Sequence, residues 1–293
     1  MRILFIGAVT FSAKALSELI KMRAEVVGVC TLRESKFNSD HADLSPIAEQ
    51  ARIPVRYTPN INSAENFNWV RDLKPDIIFC FGWSRLLQPQ LLKFPPLGVI
   101  GFHPSALPTN RGRHPIIWAL VLGLKETASS FFYMDEGTDS GDLLSQVKIS
   151  IEPSDDAGSL YSRVTDIATR QLRDFVPLLI AGKIERFPQD HQLANVWRKR
   201  NFEDGIIDWR MTAVSIHNLV RGLTRPYVGA HFNYGKQQIK VWKTVVDQDT
   251  PMNIEPGKVL AVYDDSILIK TGSGAIKLLD YAPKIHLETG DYL

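Results

Sequence analysis

Residues 97–115 read LGVIGFHPSALPTNRGRHP, an apolar run that stops in a loop carrying two histidines, two arginines, an asparagine and three prolines. Pro104 has no N–H to give a ladder, so the strand is expected to end at His103. A buried strand opening into a polar loop is the arrangement by which α/β proteins hold chemistry at the rim of a rigid sheet. Outward from this stretch, four more apolar runs read as strands: RILFIG (2–7), AEVVGVC (24–30), VRYT (55–58) and DIIFCF (76–81). Such near-continuous runs, interleaved with helical patterns, predict a parallel sheet covered on both faces.

The helical patterns lie where that sheet needs them. Ala15, Leu16, Leu19 and Ile20 share one face of a helix after the first strand. Pro115 opens a second, which carries IIWALVLGL, and a longer one runs through SLYSRVTDIATRQLRDFVPLLI to end near Gly182. From about residue 200 the texture turns to short alternating segments, IKVWKTVV, GKVLAVY, SILIKTG and AIKLLDY, with a hairpin around Gly272 and Gly274. The expected fold is α/β: a Rossmann-like, mostly parallel sheet over residues 1–195, then a small β-barrel (OB-like) domain over 196–293.

A formal charge of +2, from 34 basic and 32 acidic residues, implies neither nucleic acid nor an anionic membrane. Cys30 and Cys80 sit inside apolar strands and read as buried free thiols, which fits a reducing cytoplasm. The opening MRILFIGAVTF is too short and too soon interrupted for a signal peptide or a membrane span, so a cytoplasmic protein without membrane contact is expected.

The first turn, IGAVTFSAKAL, holds only Gly7 and fails the dinucleotide pattern, and nothing matches a P-loop. The segment MDEGTDSGD (134–142) follows another apolar run and brings Asp135, Asp139 and Asp142 toward the level of His103. A carboxylate beside an imidazole fixes its tautomer and raises its basicity, the makings of a general base. The acidic spacing does not follow a calcium loop, so no metal is expected.

HPSALPTNRGRHP, followed 36 residues after His103 by Asp139, resembles the folate-dependent formyltransferases, whose pattern is N-x-H-x-S-L-L-P with a downstream aspartate. The resemblance extends to MRILFIGAVTF, to FGWSRLLQPQLL, and to IIDWRMTAVSIHNLVRGLTRPYVGAHF in the C-terminal part. It implies formyl transfer from N10-formyltetrahydrofolate to an amine, with His103 assisting proton transfer or steadying the tetrahedral intermediate and Asp139 orienting and tuning it. It also implies a folate pocket formed by Trp83, Ser84, Arg85, Leu86 and Leu87 with Asp135, Glu136 and Asp139, and a homodimer, since many relatives pair.

One position departs from the pattern. The asparagine expected two residues before the histidine is Gly101, which has no amide to donate to the developing oxyanion. Asn110 is the first candidate to replace it and His114 the second. Arg111, Arg113 and His114, with Thr10 and Phe11 at the end of the first strand, are candidate acceptor contacts, the arginines for phosphates.

Residues 201–293 hold ten basic and eleven acidic side chains, a net of about −1. The segment LRESKFNSDHAD (32–43) sets Arg33 and Lys36 against Glu34, Asp40 and Asp43, where methionyl-tRNA formyltransferases carry a basic insertion. These observations favour a nucleotide-linked amino sugar as acceptor, in surface-glycan or lipopolysaccharide biosynthesis, with no nucleic acid as partner. Methionyl-tRNA is the alternative acceptor. A function of another class, a folate- or sugar-nucleotide-binding protein without transfer, follows if nothing replaces the missing amide.

Overall fold

The computed structural model describes residues 1–35 and 39–293, so Lys36 of the expected insertion segment lies outside the described residues. The chain divides into two compact units. The first comprises Met1–Pro115, Thr127–Ile149 and Ser162–Trp197; the second comprises Ile116–Glu126, Ser150–Tyr161 and Arg198–Leu293.

In chain order the first elements are β1 (Arg2–Ile6), α1 (Thr10–Lys21), β2 (Glu25–Thr31), α2 (Ser45–Gln50), β3 (Val55–Tyr57), α3 (Ala64–Leu73), β4 (Ile77–Cys80), α4 (Pro89–Leu92) and β5 (Val99–His103). They are followed by β6 (Arg111–Gly112), α5 (Pro115–Val121), β7 (Glu126–Tyr133), β8 (Leu143–Ser150), α6 (Ala157–Ile180) and β9 (Val196–Trp197). A seven-stranded sheet has the order β3-β2-β1-β4-β5-β7-β8. Strands β1 to β5 run parallel, as the apolar runs predict, while β7 lies antiparallel to β5.

Ile3 to Ile6 and Ile77 to Phe79 are fully buried, as expected of strands covered on both faces. On one side of β5, Phe102 meets Phe11 at 4.2 Å and Phe131 at 4.9 Å between ring centroids, part of a run of phenylalanines that includes Phe81 and Phe175. By strand alternation Gly101 and His103 face the other side. Cys30 and Cys80 are buried free thiols, and burial pushes the Cys30 thiol up to about 12 and Cys80 upward as well.

The second unit is built on α7 (Ala213–Leu223) and the strands β10 (Ala230–Tyr234), β11 (Gln237–Asp247), β12 (Val259–Val262), β13 (Ile267–Lys270) and β14 (Ala275–Ala282). The antiparallel sheet order is β10-β11-β14-β13-β12, consistent with a small barrel, and β13–β14 is the hairpin expected around Gly272 and Gly274. The α7 face of Ile216, Leu219, Val220 and Leu223 packs on inward residues of these strands. Among the described residues no helix is long and apolar enough to cross a membrane.

Candidate active site

His103 closes β5, and only 5% of its surface is exposed. Its Nε2–H donates to the main-chain carbonyl of Asn110 at 2.8 Å, because a carbonyl can only accept. Its Nδ1 faces Asp139 Oδ2 at 3.6 Å, beyond hydrogen-bond length but within the range of charge interaction. The same carboxylate oxygen accepts the Gly112 N–H at 2.9 Å. Gly112 has a φ of 103°, and a Cβ there would lie 2.3 Å from the Trp197 carbonyl, so only glycine brings this amide to Asp139. Two loops, 104–114 and 134–142, thus meet at one imidazole.

Both loops hold backbone in the left-handed region that residues with a Cβ rarely adopt: Asn110 (φ 63°), His114 (φ 55°) and Asp139 (φ 50°). Such conformations persist where the surroundings over-determine them. The determinants are visible. Asn110 N–H donates to the Asn195 side chain at 2.7 Å, and β6 pairs with β9. Gln189 donates to the carbonyls of Asp139 at 2.9 Å and Gly141 at 2.6 Å, while its own oxygen accepts from Arg111 Nη2 at 2.7 Å. The Asn110 side-chain amide has no hydrogen-bond partner among the described residues.

The space an asparagine would occupy at Gly101 is filled. A Cβ there would meet Met134 Cγ and Phe132 Cζ at 2.9 Å, and Phe132 is the direct cross-strand partner of Gly101.

Beside this centre, Ala8, Leu32, Ser35, Gly82, Trp83, Ser84 and Arg85 line a small cleft. The Trp83 indole N–H is buried there with no partner among the described residues, an orphaned donor that fits a heteroaromatic ring bearing acceptors. Arg113 reaches from the histidine loop to donate to the Ser84 carbonyl at 3.1 Å, and Arg85 donates to the carbonyl of Pro59. Leu86 is exposed, whereas Leu87 belongs to the core. Asp135 accepts from Gly137 N–H at 2.9 Å and Ser140 Oγ at 2.7 Å, shaping its loop, and Glu136 pairs with Lys93 on the surface. Among the described residues no group of three or more His, Cys, Asp or Glu is arranged to hold a metal.

Two expected acceptor contacts are already engaged by the protein. Phe11 is 4% exposed within the phenylalanine cluster, on the side of β5 away from His103. Arg111 is 7% exposed, its guanidinium turned onto Gln189 and onto His191 Nδ1 at 3.2 Å. Thr10 is exposed at the start of α1, its hydroxyl and N–H on the Asp40 carbonyl. Residue patterns did not point to Gln189, Asn195 or Gly112, whose contacts here depend on tertiary pairing rather than on any motif.

Residues 1–176 match the formyl transferase family, and residues 200–288 match the formyl transferase C-terminal domain. The chain is a formyltransferase. Its formyl donor is N10-formyltetrahydrofolate. The methionyl-tRNA formyltransferase of Desulforamulus reducens is 32% identical over 280 residues, covering 94% of this chain and 88% of the relative. That of Bacillus subtilis is 32% identical over 310 residues, covering 100% of this chain and 97% of the relative. The solved structure of WlaRD, a sugar 3N-formyl transferase, superposes with a TM-score of 0.72 over 97% of this chain and 99% of that one, at 16% identity.

These relatives correct two expectations drawn from charge. The amino-sugar acceptor, with its surface-glycan and lipopolysaccharide role, is overturned, because the similarity to a sugar enzyme is one of fold, while full-length sequence similarity is to methionyl-tRNA formyltransferases. The expectation of no nucleic-acid partner falls with it. Net charge sums a whole domain, whereas a phosphate backbone responds to the few cations nearest to it.

Proposed function

We propose that this formyltransferase transfers the formyl group of N10-formyltetrahydrofolate to the α-amino group of methionyl-tRNA, in the cytoplasm, with residues 1–195 as catalytic domain and 196–293 as C-terminal domain. The observation that carries the reading is end-to-end similarity to methionyl-tRNA formyltransferases from two organisms.

The donor supplies an electrophilic formyl carbon; the chain's own groups do the rest. His103 assists by holding a proton at Nε2, and the reacting atom takes the place of the Asn110 carbonyl that this N–H now meets. Asp139 orients the ring from the Nδ1 side. The free Asn110 amide donates to the oxyanion of the tetrahedral intermediate, in place of the side chain that Gly101 lacks. Trp83, Ser84 and Arg85 contribute the folate cleft, together with the loop of Asp135 and Glu136, and the orphaned Trp83 N–H supports that assignment. Arg113, His114 and Thr10 are the acceptor contacts; Phe11 and Arg111 are left out because protein groups already cover them.

The test is an acceptor panel with N10-formyltetrahydrofolate, read by mass spectrometry. Methionyl-tRNA is expected to gain one formyl group, and its binding to weaken steeply with salt, as phosphate contacts require. Formylation of an amino-sugar nucleotide with none on methionyl-tRNA overturns the reading.

A further inference from the structure

We propose that Gln189 is a positioning residue for formyl transfer, its side-chain amide fixing the Asp139 carboxylate against His103. The inference rests on the reading above that His103 and Asp139 carry the reaction.

Gln189 is 6% exposed and uses both ends of its amide. Its Nε2 donates to the carbonyls of Asp139 at 2.9 Å and Gly141 at 2.6 Å, and its Oε1 accepts from Arg111 Nη2 at 2.7 Å and Nε at 3.3 Å. One side chain therefore holds the two loops that contact the imidazole. On one loop it grips the main chain of Asp139 at its left-handed φ of 50°, a region aspartate visits more readily than most residues with a Cβ, and the bond to its carbonyl helps to hold it there. On the other it grips Arg111, whose neighbours are Asn110, the carbonyl on His103 Nε2, and Gly112, the donor to the Asp139 carboxylate. Asp139 is thus held at its main chain by Gln189 and at its carboxylate by a glycine next to the residue that Gln189 also holds.

The amide's chemistry is specific to the task. A glutamate in its place would keep Arg111 with one oxygen but turn the other, an acceptor, toward the two carbonyl oxygens. An asparagine lacks a methylene of reach. A methionine keeps the volume and removes all four hydrogen bonds.

The experiment compares Gln189→Met, Asp139→Asn and the double variant, in single-turnover formyl transfer and by nitrogen NMR of ¹⁵N-histidine-labelled protein. His103 is assigned by the resonances lost in His103→Gln. Gln189→Met is expected to lower the transfer rate about 10- to 100-fold, as a displacement on the order of 1 Å does, with KM for the formyl donor within about twofold. Added to Asp139→Asn it is expected to cost nothing further, because it acts through Asp139. It should also move the His103 ring resonances toward those of Asp139→Asn. Gln189→Glu, of the same size, is measured beside it in case the methionine variant does not fold, with the same non-additivity expected. Additive losses, or His103 resonances left in place, overturn the proposal. If Asp139→Asn itself transfers at the native rate, the catalytic reading fails, while the NMR still decides whether Gln189 positions Asp139.

Discussion

Gly101→Asn restores the amide expected two residues before His103, and the structure predicts that it destabilises the protein without raising turnover. The first atom of the new side chain, Cβ, would stand 2.9 Å from both Met134 Cγ and Phe132 Cζ, and 3.0 Å from Phe132 Cε1. Methionine can give way, but Phe132 is 3% exposed and lies directly opposite Gly101 in the β5–β7 ladder. Overpacking a filled core typically costs about 1–3 kcal/mol. For a unit of this size each kcal/mol lowers Tm by roughly 2–4 °C. Thermal unfolding and single-turnover transfer are measured on Gly101→Asn, on Phe132→Val and on the pair. The double variant is expected to be more stable than the sum of the single effects, because the valine vacates the space the asparagine enters. Gly101→Asn with native Tm and faster transfer would refute the reasoning: it would mean that the space is open and that the loop of Asn110 does not supply the donor.

Three further outcomes follow from the same geometry. His103→Gln should lower transfer by about 10²- to 10⁴-fold with folate affinity unchanged; a loss below tenfold in single-turnover assays removes the imidazole from proton transfer. Asn110→Gly keeps the left-handed backbone and the carbonyl on His103 but removes the amide, and should lower kcat more than about tenfold; an unchanged kcat places the oxyanion donor elsewhere. In the second unit, a hydrogen bond from the Arg198 side chain holds the Asp204 carboxyl down to about 2. Its contribution to stability is therefore complete above the free carboxyl value of about 4 and is lost as pH falls toward 2. Asp204→Asn should lower Tm at neutral pH and flatten its fall across that window; a parallel pH–Tm curve would show that the pair contributes nothing.

The strands were legible because each is an apolar run buried on both faces, so composition alone marks Ile3–Ile6 and Ile77–Phe79. The direction of β7 was not: an apolar run carries no sign, and the strand after α5 runs antiparallel to β5. At the site, a strand end and an acidic loop pointed to a carboxylate beside His103, the family resemblance singled out Asp139, and the two lie 3.6 Å apart. Gln189 was not legible, because its partners are 48, 50 and 78 residues away and two of them are main-chain carbonyls, which any residue type supplies. The burial of Arg111 and Phe11 was not legible for a related reason. Residue type says that an arginine can meet a phosphate, but only the fold says that Gln189 and His191 meet it first.

The acceptor was the hardest property to read, and the reason is electrostatic range. At physiological salt a charge is felt over about 8 Å, so opposite faces of a domain act on a polyanion independently. A net of about −1 over residues 201–293 therefore sums faces that a bound polyanion would not contact with any that it would. Four of the eleven acidic side chains in that sum have local cations: Asp208 with Arg210, Asp280 with Arg225, Glu255 with Lys258, and Asp204 with Arg198, which lies just outside the counted range. Such pairs cancel in place, so the quantity that decides affinity for phosphates is the number of cations left over on one surface, which a domain total does not measure. An amine on a polyanion and an amine on a nucleotide sugar ask the same chemistry of His103 and Asp139. Acceptor choice is therefore expected to lie in side chains outside the proposed pair of His103 and Asp139, and charge-reversing substitutions there should change the salt dependence of acceptor binding while leaving the rate of bound-state transfer intact.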